Sequence, residues 1–531
     1  LLYDIVLRNI INKEHKTITG AQIIYQKLLE HQVKNVFMYS GGSIMPLIDC
    51  FHNSPIKYFI NTHEQNCGHA ATGYAKSSNE TGVVITTSGP GVTNLITPML
   101  DAQNDSTPLV VLTGQVGRNV MGTDAFQEAP AVQVSKPVTK LSYCLESIEE
   151  IDEVMDKAFE IANEGKKGVV HIDIPKCIST KEISYQDLEL VLSDSFHSSR
   201  FDEKPNKYVN QSSVDLISEV INRSQKPIFY IGQGASEGCD YLYKCMKKNN
   251  IPVTSTIHGK GIIPESEDLS LKWCGMHGMA AANYAIQESD CIIAVGSRFD
   301  DRTTGNVEYY APEANRKKQI IHVDIEEKQF HKSVKSHHNL KMDSKQFLKQ
   351  LLPTLAENYR KKWINKVQEL KKEHDFENRT PEDNSLNTPL VIKSIDSYLK
   401  NNYIVNYDIT CGVGNHQMMT YQFVEGRFPK RIHSSGSLGV MGAGLPYAVG
   451  CQIANPNSLV IDIDGDSSFM MTMSDMKTIV ENDLPVKIAI MNDSRQMMVN
   501  IWERLYFGER YVATINEKNP DFVSLAESFG I

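Results

Sequence analysis

A chain of 531 residues is too long for a single hydrophobic core, so we expect roughly three domains of about 150 residues each. The composition, 41% hydrophobic and 22% charged, is typical of a globular protein. No apolar run approaches the roughly 18 residues of a membrane span, and a net charge of −10 argues against nucleic acid as a partner.

The ten cysteines are scattered and form no C-x-x-C pair. This spacing predicts reduced thiols in an intracellular compartment, with neither a disulfide framework nor a zinc site. Residues 1–16 combine an apolar stretch with Arg8, Lys13 and Lys16, as the end of an organellar presequence would. We therefore expect a mitochondrial location in a eukaryote and a cytoplasmic one otherwise.

Two polar stretches without apolar periodicity, residues 193–213 and 371–388, predict linkers. They divide the chain into domains over residues 17–192, 214–370 and 389–531. Each domain contains short apolar runs that predict buried parallel strands: 83–87, 109–113, 169–174, 227–231, 291–295, 320–325, 459–464 and 486–491. Strands of this kind alternate with longer mixed runs, so the fold class is α/β, three domains with mainly parallel sheets flanked by helices.

In the first domain, residues 62–74 (THEQNCGHAATGY) contain an H-E-Q triplet. Glu64 in a first helical turn is favoured by the helix dipole, and for an isolated H-E-Q this explanation suffices. A glutamate in an apolar interface would instead have the raised pKa that proton transfer needs. Two Gly-containing segments, 87–94 (TSGPGVTN) and 114–128 (GQVGRNVMGTDAFQE), follow it.

The middle domain contains residues 275–278 (GMHG), 296–306 (GSRFDDRTTGN) and 322–325 (HVDI), followed by Asp343. Taken alone, the R-F-D-D-R stretch is explained as a salt-bridged surface turn.

In the third domain, residues 464–469 (DGDSSF) come directly after a strand, and Asp493 follows the next strand. Both carboxylates therefore reach the same end of a parallel sheet. Hard oxygen ligands together with backbone carbonyls suit Mg²⁺. Small residues beside Asp466 allow backbone N–H groups at a helix start to approach a diphosphate, although a simple helix cap explains the same pattern.

Three further segments of this domain contribute to the pattern: 412–417 (GVGNHQ), 436–446 (GSLGVMGAGLP) and 497–502 (MMVNIW). The glycines permit close backbone approach to a ligand, or a turn into a buried helix. A lone tryptophan such as Trp502 is usually a core residue.

In their order and spacing, these segments resemble the acetolactate (acetohydroxyacid) synthase family of thiamine-diphosphate enzymes, from about Thr19 to Ile531. The resemblance implies a thiamine-diphosphate-binding fold, present twice, around a central FAD-type domain. It also implies a further C-terminal segment beyond Ile531. The sequence departs from the family pattern at Ser467, Asp493 and Met497, and Lys166 stands where the family has a flavin-contacting Arg.

The resemblance implies the following site residues. Those acting on substrate or coenzyme are Glu64, Phe126, Gln127, Lys176, Arg302 and Trp502. Those contacting thiamine diphosphate are Gly42, Gly414, Asn415, His416, Gly439, Met441, Gly465, Ser467, Ser468 and Met498. Those contacting FAD are Lys166, Gly232, Thr256, Met276, His277, Gly278, Gly296, Arg298, Asp300, Asp324, Ile325 and Asp343, and the Mg²⁺ positions are Asp466, Asp493 and Arg495.

The implied reaction decarboxylates pyruvate and transfers the two-carbon unit to a second pyruvate or to 2-ketobutyrate, the first common step of branched-chain amino-acid biosynthesis. Glu64 is expected to promote the active tautomer of thiamine, Arg302 to bind the acceptor carboxylate, and Trp502 to favour 2-ketobutyrate. FAD is expected to perform no redox step. We further expect a homodimer or homotetramer, with Glu64 and the metal loops coming from different subunits, and a regulatory small subunit as an additional partner.

Three alternatives stay open at this point. Another thiamine-diphosphate enzyme, of the pyruvate oxidase or glyoxylate carboligase type, shares the fold but is disfavoured by G-T-D-A-F-Q-E together with Trp502. A non-catalytic paralogue acting as a binding subunit would explain Ser467, Asp493 and Met497. A NAD-dependent dehydrogenase is disfavoured because no G-x-G-x-x-G follows the opening strand.

Overall fold

The computed structural model describes residues 17–188, 211–375 and 386–531. Most of the two predicted linkers lies outside these ranges. The described ends of those linkers are helical, because Gln211–Arg223 and Lys361–Glu373 extend into them and Thr388 starts the next helix.

The N-terminal domain is built on a six-stranded parallel sheet in the order β3-β2-β4-β5-β7-β6, with β1 and β8 forming a separate antiparallel pair. The strands are β1 Thr17–Thr19, β2 Asn35–Met38, β3 Lys57–Ile60, β4 Gly82–Thr86, β5 Leu109–Gln115, β6 Leu141–Cys144, β7 Val169–Pro175 and β8 Glu182–Ser184. The helices are Gly20–Glu30, Met45–Asp49, Glu64–Ser78, Pro90–Thr93, Ile96–Asn104, Ala131–Ser135, Ile151–Asn163 and Lys176–Ser179.

The middle domain has its own six-stranded parallel sheet, in the order β11-β10-β9-β12-β13-β14. The strands are β9 Pro227–Ile231, β10 Val253–Ser255, β11 Ser270–Trp273, β12 Cys291–Val295, β13 Ile320–Asp324 and β14 His338–Lys341. The helices are Gln211–Arg223, Cys239–Asn249, Ala280–Glu288, Asp301–Thr304, Pro312–Lys317, Ser344–Thr354 and Lys361–Glu373.

The C-terminal domain has a four-stranded parallel sheet, in the order β16-β15-β17-β18. The strands are β15 Tyr407–Cys411, β16 Ile432–His433, β17 Leu459–Gly465 and β18 Lys487–Met491. The helices are Thr388–Asn401, Asn415–Phe423, Gly444–Ala454, Asp466–Met470, Met476–Glu481, Met497–Tyr506 and Phe522–Phe529.

These sheets confirm the predicted α/β fold class, and each of the eight predicted strands is present to within two residues at either end. The central strands are continuous apolar runs because helices cover both faces of a parallel sheet, and β4, β5, β7, β9, β12, β13 and β15 are buried throughout. All ten cysteines are free, as predicted, and six are buried. Within the described ranges, the helices are too short or too polar to cross a bilayer.

The first and third domains pack together through helices Glu64–Ser78 and Gly444–Ala454, which share one hydrophobic core. Glycines make the close approach possible. A Cβ on Gly450 would lie 1.9 Å from the Ala70 carbonyl oxygen, and one on Gly73 would lie 2.4 Å from that of Tyr447. A side chain at either position would separate the helices and move the loops at their ends.

Candidate active site

The predicted site residues cluster where each parallel sheet reverses its strand order. This reversal falls between β2 and β4, between β9 and β12, and between β15 and β17. Loops at the carboxyl ends of the two strands diverge there and leave a crevice, the usual ligand position in open α/β sheets. Three crevices therefore exist, one in each domain.

In the N-terminal domain, Glu64 is the first residue of helix Glu64–Ser78 and is 8% exposed. Asn94 Nδ2 donates a hydrogen bond of 2.9 Å to Glu64 Oε2. The segment before the helix is held by the C-terminal domain, since Asn61 Nδ2 and the Thr62 N–H donate to the buried Asp475 carboxylate at 2.9 and 3.1 Å. Contacts outside its own helix therefore orient the predicted catalytic carboxylate.

The other predicted catalytic and thiamine-contacting residues of the N-terminal domain lie at the same edge of the sheet. Gln127 has φ +60°. A Cβ on Gly89 would lie 2.9 Å from the Gln127 carbonyl oxygen, so the loops that contain these two residues contact each other through their backbones. Phe126 is 89% exposed and Lys176 is also exposed. Gly42 is in the loop after β2, where Ser43 Oγ lies 2.9 Å from Thr87 Oγ1.

A buried polar network supports the loop that ends with Phe126 and Gln127. Thr113 Oγ1 lies 2.8 Å from both His171 Nε2 and Asp173 Oδ1. Gln115 Nε2 donates to Asp173 Oδ2 at 2.8 Å and to the Ala129 carbonyl at 3.0 Å, which joins the start of the loop to its end. Burial raises the pKa of Asp173 to about 7 and lowers that of His171 to about 3.

In the C-terminal domain, the loops after β15 and β17 interlock. A Cβ on Gly412 would lie 2.0 Å from Asp464 Oδ1 and 2.1 Å from Ser468 Oγ, and one on Gly465 would lie 2.8 Å from His416 Nδ1. The His416 Nε2 to Asp464 Oδ1 distance is 3.2 Å. Predicted residues His416, Gly465 and Ser468 are thus brought into one compact platform.

The predicted metal ligand Asp466 is 1% exposed and is approached by two asparagines. Its Oδ2 accepts hydrogen bonds from Asn516 Nδ2 at 2.9 Å and Asn519 Nδ2 at 2.7 Å. Asn516 Nδ2 also donates to Ser467 Oγ at 2.7 Å, and Asn519 Nδ2 to Asn492 Oδ1 at 2.9 Å. Carboxylate, amide and hydroxyl oxygens converge here, a donor set that suits Mg²⁺.

Asp493 and Arg495 follow β18 at this platform. Partial burial, followed by the charge of Asp466, raises the pKa of Asp493. The Arg495 N–H donates to Asp493 Oδ1 at 3.1 Å. A guanidinium has no acceptor atom, so Arg495 can contribute to a metal site only through its main-chain carbonyl.

A cavity of about 650 Å³ joins the crevices of the middle and C-terminal domains. Its walls include most of the predicted flavin positions, some of the thiamine ones and two of the substrate ones: Lys166, Gly232, Thr256, Met276, His277, Gly296, Arg298, Asp300, Arg302, Asp324, Ile325, Asp343, Gly414, Gly439, Met441, Met498 and Trp502. The predicted positions outside its walls are Gly42, Glu64, Phe126, Gln127, Lys176, Gly278, Asn415, His416, Gly465, Asp466, Ser467, Ser468, Asp493 and Arg495.

The middle-domain part of the cavity combines a floor of closely packed glycines with two neighbouring cationic groups. A Cβ on Gly232 would lie 2.1 Å from the Gly296 carbonyl oxygen, so these loops touch and keep the crevice floor free of side chains. Burial, then the charge of Arg298, lowers the pKa of Lys166. Burial raises the pKa of Asp324 to about 6. Two neighbouring cations are stabilised by an anion between them, as a flavin dinucleotide would provide.

Two of the predicted flavin carboxylates also cap helices. Asp300 Oδ1 accepts from the Arg302 and Thr303 N–H groups at 3.1 and 3.2 Å, and Asp343 Oδ1 accepts from the Gln346 N–H at 3.0 Å. One oxygen of each carboxylate therefore accepts hydrogen bonds from its own helix start, and the other oxygen has no part in these caps.

Arg302 and Trp502 face the same cavity from different domains. The Arg302 side chain is 58% exposed, and its polar contacts include Met276 Sδ at 3.6 Å and Asp301 Oδ2 at 3.9 Å. Trp502 is 40% exposed, on helix Met497–Tyr506. The exposure places Trp502 at a cavity wall, against the interpretation of a lone tryptophan as core.

The sequence patterns did not indicate Asn516 and Asn519, which reach Asp466 from 50 and 53 positions along the chain. Nor did they indicate His258, a cavity residue whose Nε2 lies 3.1 Å from Asp105. No local signal singles out these residues, since only the folded chain brings them to their partners.

Comparisons with known proteins match all three domains. Family models match residues 18–135 (thiamine pyrophosphate enzyme, N-terminal TPP binding domain), 214–351 (central domain) and 412–531 (C-terminal TPP binding domain). The chain is 39% identical over 527 residues to the mitochondrial acetolactate synthase catalytic subunit of Saccharomyces cerevisiae, covering 97% of this chain and 76% of that protein. It is 38% identical over 515 residues to the acetolactate synthase isozyme 2 large subunit of Escherichia coli, covering 96% and 90%.

An archaeal protein is similar to the same extent. The probable acetolactate synthase large subunit of Methanocaldococcus jannaschii is 38% identical over 523 residues, covering 96% of this chain and 86% of that protein.

Proposed function

This chain belongs to the acetolactate synthase family of thiamine-diphosphate enzymes, and we propose that it joins two 2-keto acids at a site shared between two copies of the chain. The observation that carries the proposal is the common cavity. It places a cationic group, Arg302, and an aromatic wall, Trp502, beside the thiamine-domain residues Met441 and Met498.

Bound thiamine diphosphate supplies the electron sink for decarboxylation, and the protein supplies orientation and proton control. We assign the proton-handling role to Glu64. Asn94 occupies Oε2 at 2.9 Å, so we assign the exchanged proton to Oε1. A nearly buried carboxylate fixed on one side can exchange that proton without rotating.

The C-terminal platform would hold the diphosphate and its ion. We propose Asp466, Asp493 and the main-chain carbonyl of Arg495 as Mg²⁺ ligands, with Asn516 and Asn519 orienting Asp466. The presence of Ser467 in place of glycine fits this arrangement, because its hydroxyl accepts a hydrogen bond from Asn516 at 2.7 Å.

FAD would occupy the middle-domain part of the cavity, between the loops of Gly232 and Gly296. Lys166 and Arg298 would face its anionic groups. The proposed reaction, the joining of two 2-keto acids with loss of CO₂, needs no net electron transfer. The flavin would therefore act by shaping the cavity.

The second keto acid would bind at the junction of the two domains. The guanidinium of Arg302 can bind its carboxylate in bidentate fashion. Trp502 would contact the alkyl group, methyl in pyruvate and ethyl in 2-ketobutyrate. Acetolactate is the product of two pyruvates, and the longer acceptor gives the homologous 2-acetohydroxy acid.

A second copy of the chain would complete the site. Glu64 and the Asp466 platform lie at carboxyl edges of different sheets, and Glu64 does not line the cavity. Exposed apolar side chains occur in both domains, including Tyr58 and Ile60 shortly before Glu64 and, in the C-terminal domain, Tyr506 and Phe507 after Trp502. An isologous dimer would bury both groups at once and pair each half-site with its complement.

The names of the relatives, catalytic subunit and large subunit, further lead us to propose a smaller regulatory subunit as a partner.

The test is an assay of purified protein with pyruvate, Mg²⁺, thiamine diphosphate and FAD, measuring acetolactate. We expect formation of acetolactate, dependent on thiamine diphosphate, and FAD bound at or near one per chain. Acetate or acetyl phosphate instead would identify an oxidase-type enzyme, and absence of any keto-acid turnover would identify a non-catalytic paralogue. Protein that binds thiamine diphosphate but no FAD, even at saturating concentration, would refute the flavin site.

A further inference from the structure

One short segment forms a wall of both parts of the cavity. Residues 434–441, here called the shared wall, follow β16, and Ser435, Gly436, Ser437, Leu438, Gly439 and Met441 all line the cavity. Middle-domain residues line the same cavity opposite them. A ligand in either part would therefore contact or lie next to this segment.

The N-terminal domain holds the shared wall in place by hydrogen bonds with helix Ile96–Asn104 and with Asp105, the residue that follows this helix. Asp105 accepts from the backbone N–H groups of Gly436 and Ser437 at 3.2 and 3.1 Å. Lys76 Nζ lies 2.8 Å from Asp105 and donates to the Ser434 carbonyl at 2.9 Å. Although burial opposes it, the charges of His258 and Lys76 hold the pKa of Asp105 well below its usual range, so it accepts as a carboxylate.

A second carboxylate on this helix fixes the other half of the segment. Ser435 Oγ donates to Asp101 Oδ1 at 2.5 Å and accepts from the Gly439 and Val440 N–H groups at 3.0 and 2.9 Å. Gly439, with φ +78°, turns the chain toward Met441. Because Ser435 is hydrogen-bonded to the two residues just before Met441, a shift of Ser435 to Ser437 would also move Met441.

Arg298 connects this wall to the middle domain. Its Nη2 donates to Ser437 Oγ at 2.6 Å, and its Nη1 donates to the Asn104 carbonyl at 2.8 Å. One guanidinium thus holds the shared wall and the end of helix Ile96–Asn104 together. The same guanidinium influences the pKa of Lys166 and Asp324, both lining the middle-domain part of the cavity.

We propose that the Arg298–Ser437 contact couples the two cofactor subsites, so that FAD strengthens the binding of thiamine diphosphate and thiamine diphosphate strengthens that of FAD. The inference rests on the proposed function, which places FAD beside Arg298 and the thiamine beside Met441. A ligand that holds Arg298 and the shared wall in one arrangement favours the same arrangement for the second ligand, which gives positive cooperativity without a large conformational change. The coupling must be equal in both directions.

The experiment uses the full chain stripped of cofactors, in Mg²⁺, with binding measured by isothermal titration calorimetry. Thiamine diphosphate is titrated with and without saturating FAD, and FAD with and without saturating thiamine diphosphate. We expect each cofactor to bind on the order of 10-fold more tightly when the other is present, with equal ratios. Ser437→Ala removes the side-chain acceptor of Arg298 on the shared wall, leaves its bond to the Asn104 carbonyl in place, and should bring both ratios close to one.

Ser236→Ala is the matched control. It removes a hydroxyl from the same cavity, but the hydrogen bond of Ser236, to the Gln233 carbonyl at 2.7 Å, stays within the middle domain. The 10-fold ratio should survive in this variant, and the melting temperatures of both variants verify that they are folded.

The outcomes separate the inference from the proposed function. If both cofactors bind the parent chain but neither affects the other, the coupling is refuted while the proposed function stands. If Ser437→Ala retains the full ratio, or Ser236→Ala loses it, the Arg298–Ser437 contact is not the link. Failure of FAD to bind under any condition refutes the flavin site itself, and the coupling with it.

Discussion

Asn94 donates a hydrogen bond of 2.9 Å to Oε2 of Glu64, across the gap between the helices Pro90–Thr93 and Glu64–Ser78. The contact fixes one carboxylate oxygen of a side chain that is only 8% exposed. It explains how residues 87–94, a segment without an acid or base of its own, contribute to the chemistry assigned to Glu64.

Glu64→Gln should reduce turnover by about 10²- to 10⁴-fold, the usual contribution of a positioned acid–base group. The amide keeps the shape and can still accept from Asn94, so cofactor binding should change little. Steady-state assays with calorimetric binding of thiamine diphosphate measure both effects. The exposed Glu164→Gln in the same domain is the control, and near-parental turnover of Glu64→Gln would refute the assigned role.

Asp466→Ala should raise the requirements for Mg²⁺ and thiamine diphosphate together, by on the order of 100-fold, because the proposed ion would link the protein to the diphosphate. Activity measured over a matrix of the two concentrations reveals the joint shift. Glu481→Ala, an exposed acid of the same domain, should leave both requirements unchanged. A variant whose Mg²⁺ dependence equals that of the parent would place the metal elsewhere.

Trp502→Leu should reduce the preference for 2-ketobutyrate over pyruvate as acceptor. One methylene in an apolar pocket is worth about 1–3 kcal/mol, or roughly 10- to 200-fold in preference. A competition assay with both acceptors measures the product ratio directly. Loss of all turnover at an unchanged ratio would show that Trp502 supports structure and not specificity.

Arg302→Ala should impair both products alike, since both acceptors present the same carboxylate. Loss of a charged hydrogen-bonding partner costs about 1.5–3 kcal/mol, roughly 10- to 150-fold in kcat/KM. Arg302→Lys keeps the charge but loses the bidentate geometry, so its kcat/KM should lie between that of the parent and that of Arg302→Ala. A change in product ratio in place of this uniform loss would contradict carboxylate binding by Arg302.

Asp173→Asn tests the buried network beneath the Phe126–Gln127 loop. Its folded-state pKa of about 7 lies above the ordinary 3.8, so the folded chain retains a proton that the unfolded chain has lost between these values. The free energy of unfolding contributed by this group therefore falls as pH rises from about 4 to about 7 and stays constant above pH 7. The total fall is about 1.4 kcal/mol for each unit of difference between the folded and unfolded pKa.

The asparagine is neutral throughout, so Asp173→Asn should gain melting temperature relative to the parent as pH rises from 5 to 8. The surface variant Asp240→Asn should run parallel to the parent over the same range. If Asp173→Asn also runs parallel, Asp173 is ionised in the folded chain.

The strands and their connecting loops could be predicted from sequence because a buried parallel strand has to be a continuous apolar run, and such runs are local. The runs at 227–231 and 291–295 coincide with β9 and β12 residue for residue. Asp466 could be singled out for a similar reason, because it lies in a short motif directly after a strand. Glu64 and Arg302 are singled out by the family resemblance, because each of their motifs taken alone is explained by local structure.

The sequence by itself determined the three α/β domains and the candidate loops at their sheet edges. Only the tertiary structure decided which loops meet: Asn516 with Asp466, Asn94 with Glu64, and Arg298 with Ser437. The reason is physical. Hydrogen-bonding geometry between segments that are distant in sequence depends on how strands, helices and domains pack in three dimensions, and that packing leaves no periodic signal in the chain.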